Sequence, residues 1–154
     1  MQNLEEAEKT IRLADHMVYV TYPLIKEKRL LLKILTEINK GILLNINSIL
    51  QYEYLYKRIN LHEDAKINFD IFKTKCSKWY DVNEAEIRTI LELIELVKKH
   101  QQSQMEFVRK EKVVIMTPNS IVFTITLEKI KEFLNLAKSL LERTKNRILN
   151  KNQA

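Results

Sequence analysis

The chain has 154 residues, of which 45% are hydrophobic and 30% charged, and its net charge is +6. This length fits a single domain, residues 1–154, that buries roughly two-thirds of its unfolded surface. One glycine is too few for the glycine-rich loops that hold nucleotide phosphates, and one cysteine excludes an internal disulfide. We therefore expect a cytoplasmic domain without a bound cofactor.

Two helices are predicted in the first part of the chain. Apolar residues at spacings of three and four between residues 3 and 20 indicate an amphipathic helix, which Pro23 is expected to end. A second, unusually long helix is predicted from Leu24 to about Ile59. Its apolar residues occupy more than one stripe, which favours a central position in the fold or a homodimer interface. Gly41 inside this helix indicates either the close approach of another helix or a kink.

Helical patterns weaken and then return in the middle of the chain. A short helix is predicted between residues 62 and 80. Asn83 followed by Glu86 matches a capping box, in which each side chain accepts a hydrogen bond from a backbone N–H at the start of a helix. The helix that begins there is predicted to run to about His100, where the segment "QQSQ" ends it.

The pattern then changes from a helical period to a strand period. The runs Val113–Thr117 and Ile121–Thr126 are rich in β-branched residues and flank a Pro-Asn-Ser turn, which predicts a β-hairpin. Thr126 is suited to cap a final helix, and a basic C-terminal tail is predicted at about residues 145–154. The predicted fold class is mainly α, a bundle of four to five helices with a long second helix and a small β-hairpin before the C-terminal helix.

Three kinds of site are disfavoured by residue spacing. The histidines at positions 16, 62 and 100 lack the partners of the usual zinc and di-iron motifs, so no metal site is predicted. Cys76 lies near aromatic residues and has no second cysteine to pair with, which favours a buried small side chain over a nucleophile. No apolar run approaches the roughly 20 residues that cross a bilayer, so we expect no membrane contact.

A row of basic and neutral residues follows one face of the long helix when positions are advanced by 100° per residue. We call this row the basic ridge, and its candidate binding residues are Arg29, Lys33, Lys40, Gln51, Tyr54 and Arg58. Tyr52 and Tyr56 fall on the opposite side and are predicted to be core aromatics. The ridge is suited to follow a phosphate backbone while Tyr54 stacks on a base, and the alternative is a solvated lysine-rich face.

Positive charge also accumulates near the C-terminus. Residues 113–154 contain seven basic and three acidic residues, a net charge of +4. This excess adds Arg143, Lys145 and Arg147 to the candidate binding residues. We predict that the ridge and the C-terminal helix contact RNA or an acidic protein partner.

The stretch Tyr52–His62, "YEYLYKRINLH", lies where the long helix is predicted to end. A compact helical bundle whose long second helix ends in "ILQYEYLYKRI" resembles the HEPN superfamily of nucleotide- and RNA-associated domains, and small archaeal proteins of that kind, over about residues 1–100. HEPN ribonucleases resemble one another in an arginine and a histidine separated by four to six residues, which act across a dimer. The resemblance implies a metal-independent endoribonuclease in which Arg58 binds phosphate charge and His62 transfers protons.

Three hypotheses for function follow from these observations. Three residues separate Arg58 from His62, and Ile59 follows the arginine where HEPN ribonucleases usually have a polar residue. We therefore favour a non-catalytic binding or assembly module over a HEPN-like ribonuclease. A purely protein-pairing subunit is the third hypothesis, and it differs from RNA binding in being insensitive to added salt.

Overall fold

The computed structural model describes residues 2–103, 105–119 and 121–151, with the side chains of residues 150 and 151 excepted. In these ranges the elements are α1 (Gln2–His16), α2 (Tyr22–Ile25), α3 (Leu30–Leu55), α4 (Ala65–Ile71), α5 (Ser77–Trp79), α6 (Glu84–Gln102), β1 (Met105–Arg109), β2 (Lys112–Met116), β3 (Val122–Ile125) and α7 (Leu127–Lys151). Two π-helical turns, Met17–Thr21 and Phe72–Cys76, lie between α1 and α2 and between α4 and α5. The predicted fold class is confirmed.

Pro23 does not end the first helix, contrary to the sequence prediction. The N–H of Tyr22 donates to the carbonyl of Met17, five residues earlier, so the chain makes one wide π-helical turn and then continues as α2. Pro23 lies in the first turn of α2, where a missing N–H is tolerated. The helix breaks at Lys26, whose φ of 56° is left-handed, and the long helix begins only at Leu30.

The long helix α3 is the central element of the bundle. It packs against α1, α6, α7 and the π-helical turn Phe72–Cys76, which together surround most of its circumference. Its fully buried side chains occupy several stripes and include Leu31, Ile34, Leu35, Ile38 and Ile49. Because these contacts lie within one chain, they account for the apolar surface that had suggested a homodimer interface.

Gly41 marks a close approach of two helices. A Cβ atom built at this position would lie 2.6 Å from Cγ1 of Ile11 on α1, well inside the contact distance of two carbon atoms. Of the two interpretations of this glycine from the sequence, the structure therefore selects helix approach. The absence of a side chain at Gly41 lets α1 lie directly on α3.

A three-stranded antiparallel sheet in the order β1-β2-β3 precedes the last helix. The predicted hairpin corresponds to β2 and β3, which pair with Val113 opposite Ile125. The sequence prediction missed β1, which joins β2 through a turn at Lys110 with a left-handed φ of 55°. Val113 and Ile115 are fully buried, so the sheet packs against the helical core through β2.

Both predicted helix caps are confirmed. Asn83 and Glu86 form the capping box of α6, and the N–H of Lys129 donates to Oγ1 of Thr126 at the start of α7. The basic segment predicted as a tail is helical as far as Lys151, and residues 152–154 lie outside the described part of the chain. None of the described helices has the length and apolar character needed to cross a membrane.

Replacing Gly41 by alanine tests the close approach of α1 and α3. Overpacking costs about 1–3 kcal/mol, whereas alanine gains about 1 kcal/mol in helix propensity over glycine, so we expect a net loss of about 1 kcal/mol in the free energy of unfolding. Chemical denaturation measures this loss. Asn47→Ala, at an exposed position of the same helix, is the control and should lose no stability, since helix propensity alone gives a gain of up to about 0.7 kcal/mol.

A double-mutant cycle identifies the neighbour responsible. In an Ile11→Ala background the clash with Cγ1 is gone and the backbone N of residue 11, at 3.6 Å, is an ordinary contact, so Gly41→Ala should no longer destabilise the protein. A stabilising effect of Gly41→Ala in the otherwise unchanged chain would contradict the packing described.

Candidate functional site

A buried carboxylate occupies the last turn of α3. The side chain of Glu53 has no exposed surface. Its Oε1 accepts hydrogen bonds from Nε of Arg147 at 2.8 Å and from the hydroxyl of Tyr80 at 2.9 Å, and its Oε2 accepts one from Nε of Arg58. We call these four residues the Glu53 cluster. Burying a carboxylate is unfavourable by several kcal/mol unless such donors surround it.

Arg58 reaches Glu53 because the chain folds back at the end of α3. Lys57 adopts a left-handed φ of 60°, its N–H donates to the carbonyl of Tyr54, and the N–H of Arg58 donates to the carbonyl of Glu53. These two bonds form the Schellman motif that ends many helices. Arg58 therefore lies past the helix end, in the Glu53 cluster, and does not extend the basic ridge.

Aromatic rings surround both arginines of the cluster. The guanidinium carbon of Arg58 lies 5.1 Å from the ring centroid of Tyr56, and that of Arg147 lies 5.1 Å from the ring centroid of Tyr80. Tyr56 is 49% exposed, so the prediction that it is a core aromatic was wrong, because α3 ends one residue before it. These rings screen the guanidinium groups from water on one side.

The cluster is ionised at Glu53 and protonated at its neighbours. Burial alone would raise the pKa of Glu53, but the hydrogen bonds from Arg147, Arg58 and Tyr80 outweigh burial and hold this pKa below its ordinary value. Burial and the charge of Glu53 raise the pKa of the Tyr80 hydroxyl, and the same two causes raise the pKa of the Cys76 thiol to about 12. Cys76 is fully buried, as predicted, and its thiol is protonated at neutral pH.

The other two C-terminal candidates are also bound within the fold. Arg143 binds Glu86 with both ends of its guanidinium group, one of them at 3.1 Å, and donates to the carbonyl of Asp81 at 2.6 Å. Arg143 thereby holds α7 to the start of α6, and it lowers the pKa of Glu86 by hydrogen bonding. Lys145 forms an ion pair with Glu8 on α1 at 3.1 Å. The structure thus pairs Arg143, Lys145 and Arg147 with carboxylates of the same chain.

The ridge residues on α3 are left at the surface. Lys33, Lys40, Gln51 and Tyr54 are all exposed, and Tyr54 is 53% exposed. Neither Lys33 nor Lys40 has an ion-pair partner among the described side chains. Gln51 accepts a hydrogen bond from Asn3, and Arg29 donates to the carbonyl of Glu106 at 3.4 Å.

His62 lies in the loop between α3 and α4. Its N–H donates to Oδ1 of Asn68 at 2.8 Å, and its carbonyl accepts from Nδ2 of the same residue at 2.7 Å. The side chain is exposed, and the described contacts of the Arg58 side chain are with Glu53 and the rings of Tyr52 and Tyr56, not with His62. In the described part of the chain no group of three His, Cys, Asp or Glu side chains is arranged to hold a metal ion.

Sequence reasoning missed two features of the structure, the buried Glu53 cluster and a groove at the surface. Glu53 follows Ile42, Ile46 and Ile49 at spacings of four, three and four, and an acidic residue on this buried stripe is the signal that would have found the cluster. The second feature is a groove of about 430 Å³ between α3, α4 and α6. We call it the lysine-rimmed groove, because Lys66, Lys73 and Lys98 lie at its edges. No sequence signal reveals the groove, because its walls belong to three separate helices.

The sequence matches no protein-family model, and no curated protein or solved structure matches it either. The resemblance to HEPN domains therefore stays a prediction that rests on the sequence pattern of residues 1–100.

Replacing Glu53 by glutamine tests the Glu53 cluster. The substitution keeps the shape of the side chain but leaves two arginines without their anion, so we expect a loss of about 3 kcal/mol in the free energy of unfolding at neutral pH. Because Arg58 is partly exposed, this figure lies at the lower end of the range for buried pairs. Glu142→Gln, at an exposed carboxylate, is the matched control and should cost less than about 0.5 kcal/mol.

The stability that Glu53→Gln removes should decrease as the pH falls. The folded-state pKa of Glu53 lies below the unfolded value of about 4.3, so the stabilisation by its charge is complete above that pH and disappears as pH falls through the folded pKa. The stability difference between the unmodified protein and Glu53→Gln should therefore be constant near neutral pH and shrink as the pH falls below about 4.3. A difference that does not change as the pH falls would contradict an ionised Glu53.

Proposed function

We propose that this protein is a non-catalytic binding module that contacts an acidic protein partner through the lysines on the exposed face of α3. The candidate basic side chains fall into two groups, those bound inside the fold and those exposed without a partner, and this observation supports the proposal. Arg58, Arg143 and Arg147 are bound to carboxylates of the same chain, whereas Lys33 and Lys40 are exposed on one face and have no ion-pair partner among the described side chains. A reducing compartment such as the cytoplasm suits a chain whose one thiol is buried.

The exposed cations of the ridge do not require a phosphate partner. Arginine binds phosphate through two parallel hydrogen bonds, and three of the candidate arginines already use their guanidinium groups inside the fold. Lysine is a point charge that pairs equally well with a carboxylate. The ridge also borders the apolar lysine-rimmed groove, a surface that suits a protein partner better than a hydrated nucleic-acid backbone.

RNA binding is a second candidate, and one observation favours it. Tyr54 is 53% exposed at the end of the ridge and lines a small cavity of about 230 Å³ together with Tyr52 and Gln51. An exposed tyrosine beside a basic row is the arrangement on which a base stacks. Only one such ring lies on the ridge, so this candidate ranks second.

Ribonuclease chemistry with Arg58 and His62 has weaker support. It needs an arginine and a histidine on the same phosphate, and the described contacts direct Arg58 towards Glu53. Withdrawing Arg58 from Glu53 to reach a substrate would leave a buried carboxylate short of one donor.

Photocrosslinking from the middle of the ridge tests the proposed function. A benzophenone amino acid in place of Asn47, which is exposed between Lys40 and Gln51, should form adducts with protein in a lysate of the native cells. We expect Lys33→Glu/Lys40→Glu to reduce these adducts about tenfold, because reversing two surface charges changes binding by about 1.4 kcal/mol. Mass spectrometry identifies the adducts, and nuclease treatment separates protein from RNA.

Lys112→Glu is the control, because this exposed lysine lies on β2 and should leave the adducts unchanged. Nuclease-sensitive adducts would favour RNA and overturn the protein partner. Adducts that survive the charge reversal would show that the ridge is not the binding surface. Cleavage of an RNA hairpin in EDTA that is lost in His62→Ala, a variant that leaves the Glu53 cluster intact, would establish the enzyme instead.

A further inference from the structure

The lysine-rimmed groove has an apolar floor that is open to solvent. It lies between α3, α4 and α6 and is lined by Leu43, Ala65, Phe69, Leu91 and Ile94, with Lys66, Asp70, Lys73 and Lys98 at its edges. Leu91 is 40% exposed, and Leu43, Phe69 and Ile94 are half-buried. Exposed apolar side chains that adjoin one another, with polar residues around them, mark surfaces that bind another molecule.

The rim of the groove is positively charged. Lys66 and Lys98 have no ion-pair partner among the described side chains, and Lys73 shares its charge with Asp70 at 3.5 Å. Three lysines and one carboxylate leave a positive excess on both sides of the floor. The larger cavity of about 550 Å³ between α6, the sheet and α7 differs in this respect, because its Lys129 is already paired with Glu92 and Glu132.

The floor repeats with the period of a helix. Ala65 and Phe69 lie one turn apart on α4, and Leu91 and Ile94 lie one turn apart on α6, so each of these two walls presents apolar groups at helical spacing. Side chains that project from successive turns of a bound helix, at spacings of three and four, fit such walls. The volume of about 430 Å³ falls in the ordinary range for binding clefts.

We infer that the lysine-rimmed groove binds an amphipathic helical segment of an acidic protein. Its apolar side chains cover the floor formed by Phe69, Leu91 and Ile94, and its carboxylates pair with Lys66 and Lys98. The inference rests on the proposed function and adds the chemistry by which the partner is recognised. A nucleic-acid backbone would leave the apolar floor without a contact, and an uncharged helix would leave the lysines without one.

The ridge and the groove form one continuous surface. Leu43 comes less than one turn after Lys40 and lies about 60° round α3 from it, so the ridge runs along the edge of the groove. Opposite charges at a protein surface attract one another over a Debye length of about 8 Å at physiological salt. The ridge is therefore suited to attract an acidic partner, and the groove to fix its position.

A defined peptide tests the inference. The probe is a fluorescein-labelled amphipathic helix of about 18 residues, with leucines at spacings of three and four on one face and glutamates on both flanks. The matched probes are the same peptide with lysines in place of the glutamates, and a scrambled sequence. Fluorescence anisotropy gives the Kd, and amide chemical shifts of the ¹⁵N-labelled protein show where the peptide lies.

Two sets of groove variants are compared with controls of the same kind. We expect Leu91→Glu and Lys66→Glu/Lys98→Glu each to weaken binding of the acidic peptide about tenfold or more. The controls are Leu24→Glu, at an apolar side chain 80% exposed outside the groove, and Lys112→Glu on β2, and each should stay within about twofold. All changed positions are exposed, and thermal melts followed by circular dichroism check that each variant folds.

The outcomes separate this inference from the proposed function. Binding that is lost in the groove variants, with shifts at Phe69, Leu91 and Ile94, supports the inference. Binding that is lost only in Lys33→Glu/Lys40→Glu overturns the groove but leaves the ridge as the binding surface. No binding of the acidic peptide, or equal binding of the lysine peptide, overturns the inference, as does a dimer in sedimentation that Leu91→Glu dissociates.

Discussion

The carboxylate of Glu53 fixes the relative positions of segments that are far apart in the chain. Glu53 lies in the last turn of α3, Tyr80 follows α5, and Arg147 is near the end of α7. A buried carboxylate is stable only while its donors stay in place, so the end of α3, the loop that follows it and α7 must move together or not at all. Asn45 on α3, which donates to Oγ1 of Thr144 at 3.0 Å, adds a second buried polar link between the same two helices.

The same interactions decide which charges remain available for binding. Arg58 and Arg147 stabilise Glu53, and Arg143 stabilises Glu86 at the start of α6, so these three arginines contribute to the stability of the fold. The exposed lysines of α3, α4 and α6 have no ion-pair partner among the side chains that the structure describes. Net charge alone would suggest a nucleic-acid binder, but the distribution of arginine and lysine directs the proposal to an acidic protein.

Local patterns predicted the fold class, and long-range packing determined what they missed. Asn83 and Thr126 were recognised as helix caps because capping depends on neighbouring residues alone. The passage of the helix through Pro23 depends on a π-helical turn, which no local propensity reveals, and the end of α3 is set by Arg58 folding back onto Glu53. Of the candidate site, the exposed lysines followed from helical periodicity, whereas the groove required the packing of three helices.

Arg58 and Arg147 contribute to the fold through Glu53 and not to a binding surface. The most direct measurement follows the Nε–H signals of these arginines in a ¹⁵N-labelled protein while poly-L-glutamate and an RNA hairpin are added in turn. We expect both signals to exchange slowly with water and to keep their positions, while the backbone amides of Lys33 and Lys40 shift with the polyanion that binds. Rapid exchange of the two signals with water, or their movement on addition of either polyanion, would contradict the binding of Arg58 and Arg147 to Glu53.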